Sequence, residues 1–328
     1  MKRTTASLTV LVILLVATVA LTPLVGSSGA SLDEVYWTIR APRLAMAMLA
    51  GAALGLSGMV FQAVFRNPLA SPFTLGVASG ASLASAIAIR LHIAAMWWAI
   101  SARAGLAFVG AMATVLLVYA IARARRGFAT STLLLAGVSI GFVCSSVIVL
   151  IQYLSREHEA TAIIRWLMGS VEIVGRRGWL EMIPVSVLVV VGTGLCWYLR
   201  RGLDLLMMGE LAAAGRGLNV TRARAAAYFA ASTMTGAVVA LCGPIAFVGL
   251  VVPHIMRFVL GPRHAVLVVG CLLGGMIFLP TCDMVARNLM YWLAGSSLQL
   301  PVGVLTSLLG GLFFLGLLLR RREESPIL

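Results

Sequence analysis

Few side chains in this sequence are equipped for chemistry, and those few stand far apart. Asp283 and Arg287 lie four residues apart in an otherwise apolar run. That spacing puts both side chains on one helix face and allows an ion pair, which a charge held among apolar residues requires. Four histidines, His92, His158, His254 and His264, are scattered and form no ligand cluster at helical spacing. The five cysteines, Cys144, Cys196, Cys242, Cys271 and Cys282, all sit in apolar runs without a CxxC pair. They read as small buried hydrophobes, and no protein-held metal is expected. Neither paired carboxylates nor a Ser-His-Asp arrangement stands out, so no catalytic residues are expected and the chain is not read as an enzyme. Lys2 is the single lysine. A GxxxxGK[ST] phosphate loop needs its lysine, so any ATP used must be bound by another subunit.

The distinctive signals lie in the backbone. Gly243-Pro244 and, nine residues on, Pro253-His254 bracket an apolar stretch. The two prolines are expected to break the chain at membrane depth, where freed carbonyls must face protein or a water-filled cavity. His254 reads as a hydrogen-bonded structural histidine. Arg66-Asn67-Pro68-Leu69-Ala70 reads as a tight turn, with Asn67 able to cap the next element. The small residues Gly76, Ser79 and Gly80 that follow suit a strained or pore-lining segment. Gly51, Gly55 and Gly58 have the spacing of close helix packing. Arg40-Ala41-Pro42-Arg43 opens a span with two cations where the helix dipole prefers anions. Snorkelling to headgroups is one reading, and an outward pair of cations for an acidic partner is the other. Between Arg200 and Arg224 lies the longest polar interval on the side read as cytoplasmic. Its middle, Leu205 to Leu211, is apolar enough to pack against something. Two short helical pieces are expected there, broken at Gly209 and again at Gly215 and Gly217. The interval reads as a solvated connector or as a docking surface.

The elements that must position these residues follow from composition. Of 328 residues 61% are hydrophobic and only 11% charged, with mean hydropathy +1.02. A soluble surface needs about 25% charged residues, so this is an integral membrane protein. The formal charge of +14 does not point to nucleic acid, because the arginines form short clusters between apolar runs. At roughly 20 residues per span, ten spans are expected, at 7–26, 43–65, 72–89, 104–122, 129–152, 182–199, 225–243, 247–260, 266–290 and 302–319. Gly or Pro shortens or interrupts those at 72–89 and 247–260. Basic residues concentrate in the segments that would then lie inside, which predicts a multi-pass protein with both termini cytoplasmic. Laying Leu56-Ser57-Gly58 on Leu241-Cys242-Gly243 also lays Pro68 on Pro253 and Leu75-Gly76 on Leu260-Gly261. This predicts two inverted-topology halves. The expected class is all-α, one transmembrane domain over residues 1–328.

Taken together, Arg40-x-Pro-Arg43, Gln62-Ala-x-x-Arg66-Asn-Pro-Leu-Ala, Leu75-Gly-Val-x-Ser-Gly-Ala81, Trp166-Leu-Met-Gly-Ser170, Gly243-Pro-Ile-x-Phe-Val-Gly-Leu-Val-Val-Pro-His254, Asp283-x-x-Ala-Arg287 and Leu300-Pro-Val-Gly303 resemble, in order and spacing, the FecCD family. These are permease subunits of type II ABC importers for ferric siderophores, haem and cobalamin. Ser71 departs from the pattern, where the family often has Asp. The resemblance implies a cobalamin-importer-permease-like fold in a bacterial or archaeal cytoplasmic membrane. It implies pairing with a second copy or a paralogous permease, and two ATP-binding subunits that hold ATP and magnesium. Their coupling site would be residues 203–220, with Leu205, Gly209, Glu210, Gly215, Arg216, Gly217 and Asn219. A periplasmic or lipid-anchored substrate-binding protein would dock through Arg40, Arg43 and Arg287. Translocation or gating would fall to Asn67, Pro68, Gly76, Ser79, Gly80, Gly243, Pro244, Pro253 and His254. This chain itself would hold no cofactor. Ferric siderophore is the expected cargo, ahead of cobalamin and haem. The alternative is an ion-coupled secondary transporter, disfavoured by the single acid, Asp283, placed well inside a span.

Overall fold

The computed structural model describes residues 2–25, 36–93, 96–97, 100–124, 130–172, 175–296 and 298–323. Helix α1 (Lys2–Leu21) is followed by a π-helical turn (Tyr36–Arg40) that leads into α2 (Ala41–Phe65). A 3-10 turn (Phe73–Leu75) precedes α3 (Val77–Arg90), and a minimal hairpin of β1 (Met96–Trp97) and β2 (Ile100–Ser101) precedes α4 (Ala102–Ala124). Then come α5 (Thr130–Tyr153), α6 (Glu157–Leu167), α7 (Gly175–Met207), the short α8 (Glu210–Gly215), α9 (Val220–Cys242), α10 (Val248–Leu260), α11 (His264–Ala294) and α12 (Val302–Glu323). Seven of these, α1, α2, α4, α5, α7, α9 and α11, are long and apolar enough to cross a membrane, and α3, α10 and α12 are shorter apolar helices. Together they coincide with the ten expected spans.

Two helices form the centre. The apolar windows of α2 and α9 are 78% and 72% buried, against 11% for α1 and 22% for α5. The outer helices therefore present apolar faces, such as Leu135 and Phe142 on α5 and Val190 on α7, to the surroundings. What brings α2 to the centre is its glycines. A Cβ at Gly51 would fall 2.7 Å from the carbonyl carbon of Gly275 on α11, and one at Gly58 would fall 2.5 Å from Gly249 Cα on α10. Backbone meets backbone at both places, the close approach that small residues permit in membrane bundles. Two buried hydroxyls add cross-links: Ser57 Oγ donates to Ala231 O at 3.0 Å, and Tyr228 Oη donates to Val115 O at 3.2 Å.

Several expected boundaries move. The sixth span is much longer than residues 182–199, because α7 runs unbroken for 33 residues through Pro184 and out to Met207. Arg200, Arg201 and Asp204 mark where polarity rises, but arginine is a good helix former and polarity does not end a helix. The helix stops at Gly209, whose φ of 114° only glycine adopts readily. Leu205 thus belongs to the last turn of α7, and α8 alone stands as a separate piece. The repeat register also shifts. Gly58 sits in the middle of α2 whereas Gly243 ends α9, and Pro68 lies in a turn whereas Pro253 lies inside α10. What the two regions share is a long buried helix followed by a break and a short helix, α2 to α3 and α9 to α10.

Pro253 is a correction with a physical explanation. It does not break the backbone, which in this stretch opens around Gly243 to Phe247. A proline at 253 has no N–H to give to the Gly249 carbonyl one turn back. Gln62 Nε2 of α2 donates to that carbonyl instead, at 3.3 Å, while Gln62 Oε1 accepts from Arg257 Nη1. The freed acceptor is satisfied by a side chain of another helix, so α10 continues.

Candidate functional site

The charged residues gather at opposite ends of the bundle. At the end where α2 begins, Arg43 Nε and Nη2 donate to Asp283 Oδ2 and Oδ1, both at 2.9 Å, in the fork geometry that makes arginine–carboxylate pairs strong. Arg43 Nη1 also reaches Gln299 Oε1 at 3.2 Å. Arg287 Nε lies 3.3 Å from Asp283 Oδ2, and its Nη2 donates to Thr22 O at 3.4 Å. Arg40 is buried, with Nη1 donating to Pro23 O at 2.6 Å, and lines the same small cleft as Arg43, Asp283 and Arg287. The intrahelical pair expected from sequence is present. It is one half of a larger cluster in which three arginines surround one carboxylate. The unfavourable dipole placement of Arg43 is offset internally, by Asp283, and the cluster still carries an excess of positive charge.

At the other end, Asp204 on the last turns of α7 reaches the start of α11. The His264 backbone N–H donates to Asp204 Oδ1 at 3.0 Å, and His264 Nδ1 lies 2.6 Å from the same oxygen. An orphan N–H at a helix N-terminus is thereby satisfied by a carboxylate, the charge the dipole favours. Glu210 Oε1 of α8 lies 2.7 Å from Nη2 of the buried Arg224 on α9. Asn219 Oδ1 caps α9 by accepting the Arg222 N–H at 3.0 Å. The Glu210–Arg224 pair ties α8 to α9, yet the surface around α8 is bare. Leu211 is 92% exposed, Met207 and Met208 are exposed, and a Cβ at Gly215 or Gly217 would meet nothing within 4 Å. Arg216 reaches back to Met208 Sδ at 3.0 Å. The result is a firmly held knob with an apolar tip.

The residues expected at a gate fall into three groups. Asn67 and Pro68 form an exposed turn. Asn67 Oδ1 accepts the Leu69 N–H at 2.9 Å, which closes the turn locally rather than capping the following element as expected. Gly76 and Gly80 are buried. A Cβ on Gly80 would fall 2.8 Å from Thr114 Cβ, so these glycines serve the packing of α3 on α4, and Ser79 faces Gly141 of α5. Gly243 and Pro244 belong to a junction that sequence analysis had flagged only as separate motifs. Ser170 N–H donates to Cys242 O at 2.8 Å and Gly303 N–H donates to Gly169 O at 3.1 Å. Gly169 has φ +68° and packs on the Pro244 carbonyl. The motifs beginning at Trp166, Gly243 and Leu300 thus make one backbone knot. His254 packs edge-on against Phe313 of α12, with centroids 5.6 Å apart. A cavity of about 820 Å3 lies between α1, α10, α11 and α12 and has an aliphatic lining that includes Leu11, Ile255 and Ile277, chemistry suited to hydrocarbon chains.

Comparison with known proteins decides the class. The model of the FecCD transport family matches residues 4–320, almost the whole chain. The chain belongs to the FecCD transport family. This FecCD chain is 35% identical over 300 residues to the hemin transport system permease protein HmuU of Yersinia pestis, covering 91% of this chain and 87% of that one. It is 38% identical over 294 residues to the vitamin B12 import system permease protein BtuC of Klebsiella pneumoniae, covering 88% and 83%. A solved structure described as an inward-facing conformation of a metal-chelate type ABC transporter superposes with a TM-score of 0.84 at 28% identity, covering 96% and 98% of the two chains. It is a multi-pass transport permease and not an enzyme.

Sequence reasoning left four residues of this FecCD chain without a role: Gln62, Asp204, Arg257 and His264. Gln62 stood inside a recognised motif and Asp204 inside the polar connector. Their partners lie 187 and 60 residues away in the chain, so no local pattern could pair them.

Proposed function

We propose that this chain is the membrane-spanning subunit of an ATP-driven importer for a bulky metal chelate, with ferric siderophore as cargo ahead of cobalamin and haem. The observation that carries the reading is the α8 knob. An exposed apolar tip, anchored to α9 by Glu210–Arg224, is built to transmit force from a docked partner rather than to yield. Two ATPase subunits, which hold ATP and magnesium, dock on Leu205, Gly209, Glu210, Gly215, Arg216, Gly217 and Asn219. A second copy of the chain completes the pathway, and alternating access moves the cargo without a covalent step. Both termini lie in the cytoplasm. Asn67, Pro68, Gly76, Ser79, Gly80, Gly243, Pro244, Pro253 and His254 shape the moving parts. The ion-coupled alternative loses the acid it would place well inside a span, because Asp283 is committed to Arg43 and Arg287.

Gly215→Trp tests the ATPase face. The position is open and has no positive φ, so the fold should survive while the interface clashes. Uptake is expected to fall roughly tenfold or more, the equivalent of about 1.4 kcal/mol, with unchanged expression and melting. Normal uptake and normal ATP turnover in that variant would remove α8 as the coupling element.

The opposite face, with Arg40, Arg43 and Arg287, receives an acidic surface of the substrate-binding protein. Reversing Arg43 would also break the bond to Asp283, so the informative variant is Arg40→Gln combined with Arg287→Gln. It removes excess charge and keeps the bidentate pair. Binding-protein affinity is expected to drop and to lose most of its salt dependence, since two positive charges that attract an acidic partner, an attraction that salt screens, are gone. Affinity and salt slope equal to those of the parent would exclude these arginines from docking.

A further inference from the structure

His92 stands far in sequence from the adjacent pair His158 and Glu159, but the fold brings all three together where α3 ends and α6 begins. The chain leaves α3 through Leu91 into His92, whose φ of +53° is uncommon for a residue with a side chain. This turn carries the imidazole over the first turn of α6. There Glu159 is almost fully buried, at 2% exposure, and its two oxygens have different duties. Oε2 accepts the Arg156 backbone N–H at 3.0 Å, a helix-capping bond, and lies 3.6 Å from Arg90 Nη1. Oε1 is buried and accepts no hydrogen bond; its neighbour is His92 Nε2 at 3.3 Å. The His92 and His158 rings stand 6.4 Å apart between centroids, and one nitrogen of each lies with a Glu159 oxygen inside a 4.8 Å circle.

We propose that His92, His158 and Glu159 form a site for one divalent transition-metal ion of the zinc class. Two imidazole nitrogens and one carboxylate oxygen are the donors such ions prefer, and three protein ligands leave a fourth position for water. Calcium or magnesium would need more oxygens than this cluster offers. Both histidines are exposed, so small rotations bring their nitrogens to bonding distance, while the buried carboxylate supplies the fixed point. Glu159 is held in its anionic form: the Arg156 N–H lowers its pKa most, and Arg90, His92 and His158 add to this against the opposing effect of burial. The other charged groups at the cluster are Glu157 and Arg165 beside His158 and Arg103 beside His92. Arg90 is half exposed and bears on Oε2, the oxygen that the ion does not need.

The bound ion would join α3 to α6 above a small hydrophobic cluster of Ala86, Ile148 and Ile163 that is separate from the main core. A cross-link there would hold together α3, α5 and α6.

The test uses the full-length chain in detergent, purified through a tag without histidines, stripped with EDTA and dialysed against zinc chloride. Elemental analysis at about pH 7.5 is expected to find one zinc per chain, with a raised unfolding temperature, because a ligand of the native state stabilises it. His92→Ala with His158→Ala should lose zinc and the thermal shift but melt like the parent in EDTA. Glu159→Gln, which can still cap α6, should weaken binding by about tenfold or more. Zinc content no higher in the parent than in the double variant, or a thermal shift that survives all three substitutions, would overturn the site.

Discussion

Replacing Asp283 with leucine is expected to destabilise the chain by roughly 3–5 kcal/mol, the range measured when one partner of a buried ion pair is deleted. The reason is an imbalance of charge. Asp283 is nearly inaccessible, with 4% of its side chain exposed, and it is held by Arg43 and Arg287 together. Its loss leaves two guanidinium groups facing each other without an anion, while Arg40 stands in the same cleft. Removal of one arginine is less severe, because Arg43→Met leaves Asp283 with Arg287, and Arg287→Met leaves it with the bidentate Arg43. Thermal unfolding in detergent ranks the three variants. An Asp283→Leu protein that melts no lower than Arg43→Met would mean that the carboxylate is not the centre of the cluster.

The second large effect belongs to Gly58. A valine there is expected to cost about 3 kcal/mol or more, at the upper end of overpacking penalties. Its Cβ would lie 2.5 Å from Gly249 Cα and closer still to the adjoining carbonyl, so α2 and α10 would have to separate. Separation would also pull Gln62 from Gly249 O, leaving a buried carbonyl without a donor. Gly194 supplies the control, since a Cβ there meets nothing within 4 Å and alanine should be neutral or slightly stabilising. Monodisperse yield and unfolding temperature read both changes. Equal behaviour of Gly58→Val and Gly194→Ala would show that the α2–α10 contact is compliant.

The ten membrane helices were legible because hydropathy responds to the solvent, and a bilayer imposes the same length requirement on every span. Helix ends were less legible. The α7 helix crosses Arg200, Arg201 and Asp204 without interruption, since a change of surroundings is not a change of backbone geometry. Proline was over-read for a related reason. Pro253 removes a donor, but whether a helix fails depends on the acceptor it abandons, and Gln62 of another helix serves that acceptor. At the charged sites, local arithmetic recovered Asp283 with Arg287 because they share a helix face. Arg43, 240 residues away, and the meeting of His92 with Glu159 depend on tertiary neighbours. The knot of Gly169, Gly243 and Gly303 shows a third kind of gap. Each glycine was visible, but a glycine records only that something comes close, not what.

Pro253 and Gln62 also bear on how α10 can move. Within an ordinary helix, each turn is locked by bonds that belong to the helix itself, so bending anywhere means breaking its own ladder. In α10 one lock is owned by a neighbour. Sliding α2 along α10 would withdraw the Gln62 amide, open the joint between Gly249 and Pro253, and release Arg257 in the same stroke, with the rest of the α10 ladder intact. The helix behaves as a latch whose bolt is mounted on the door frame, so its stiffness is set by the position of α2.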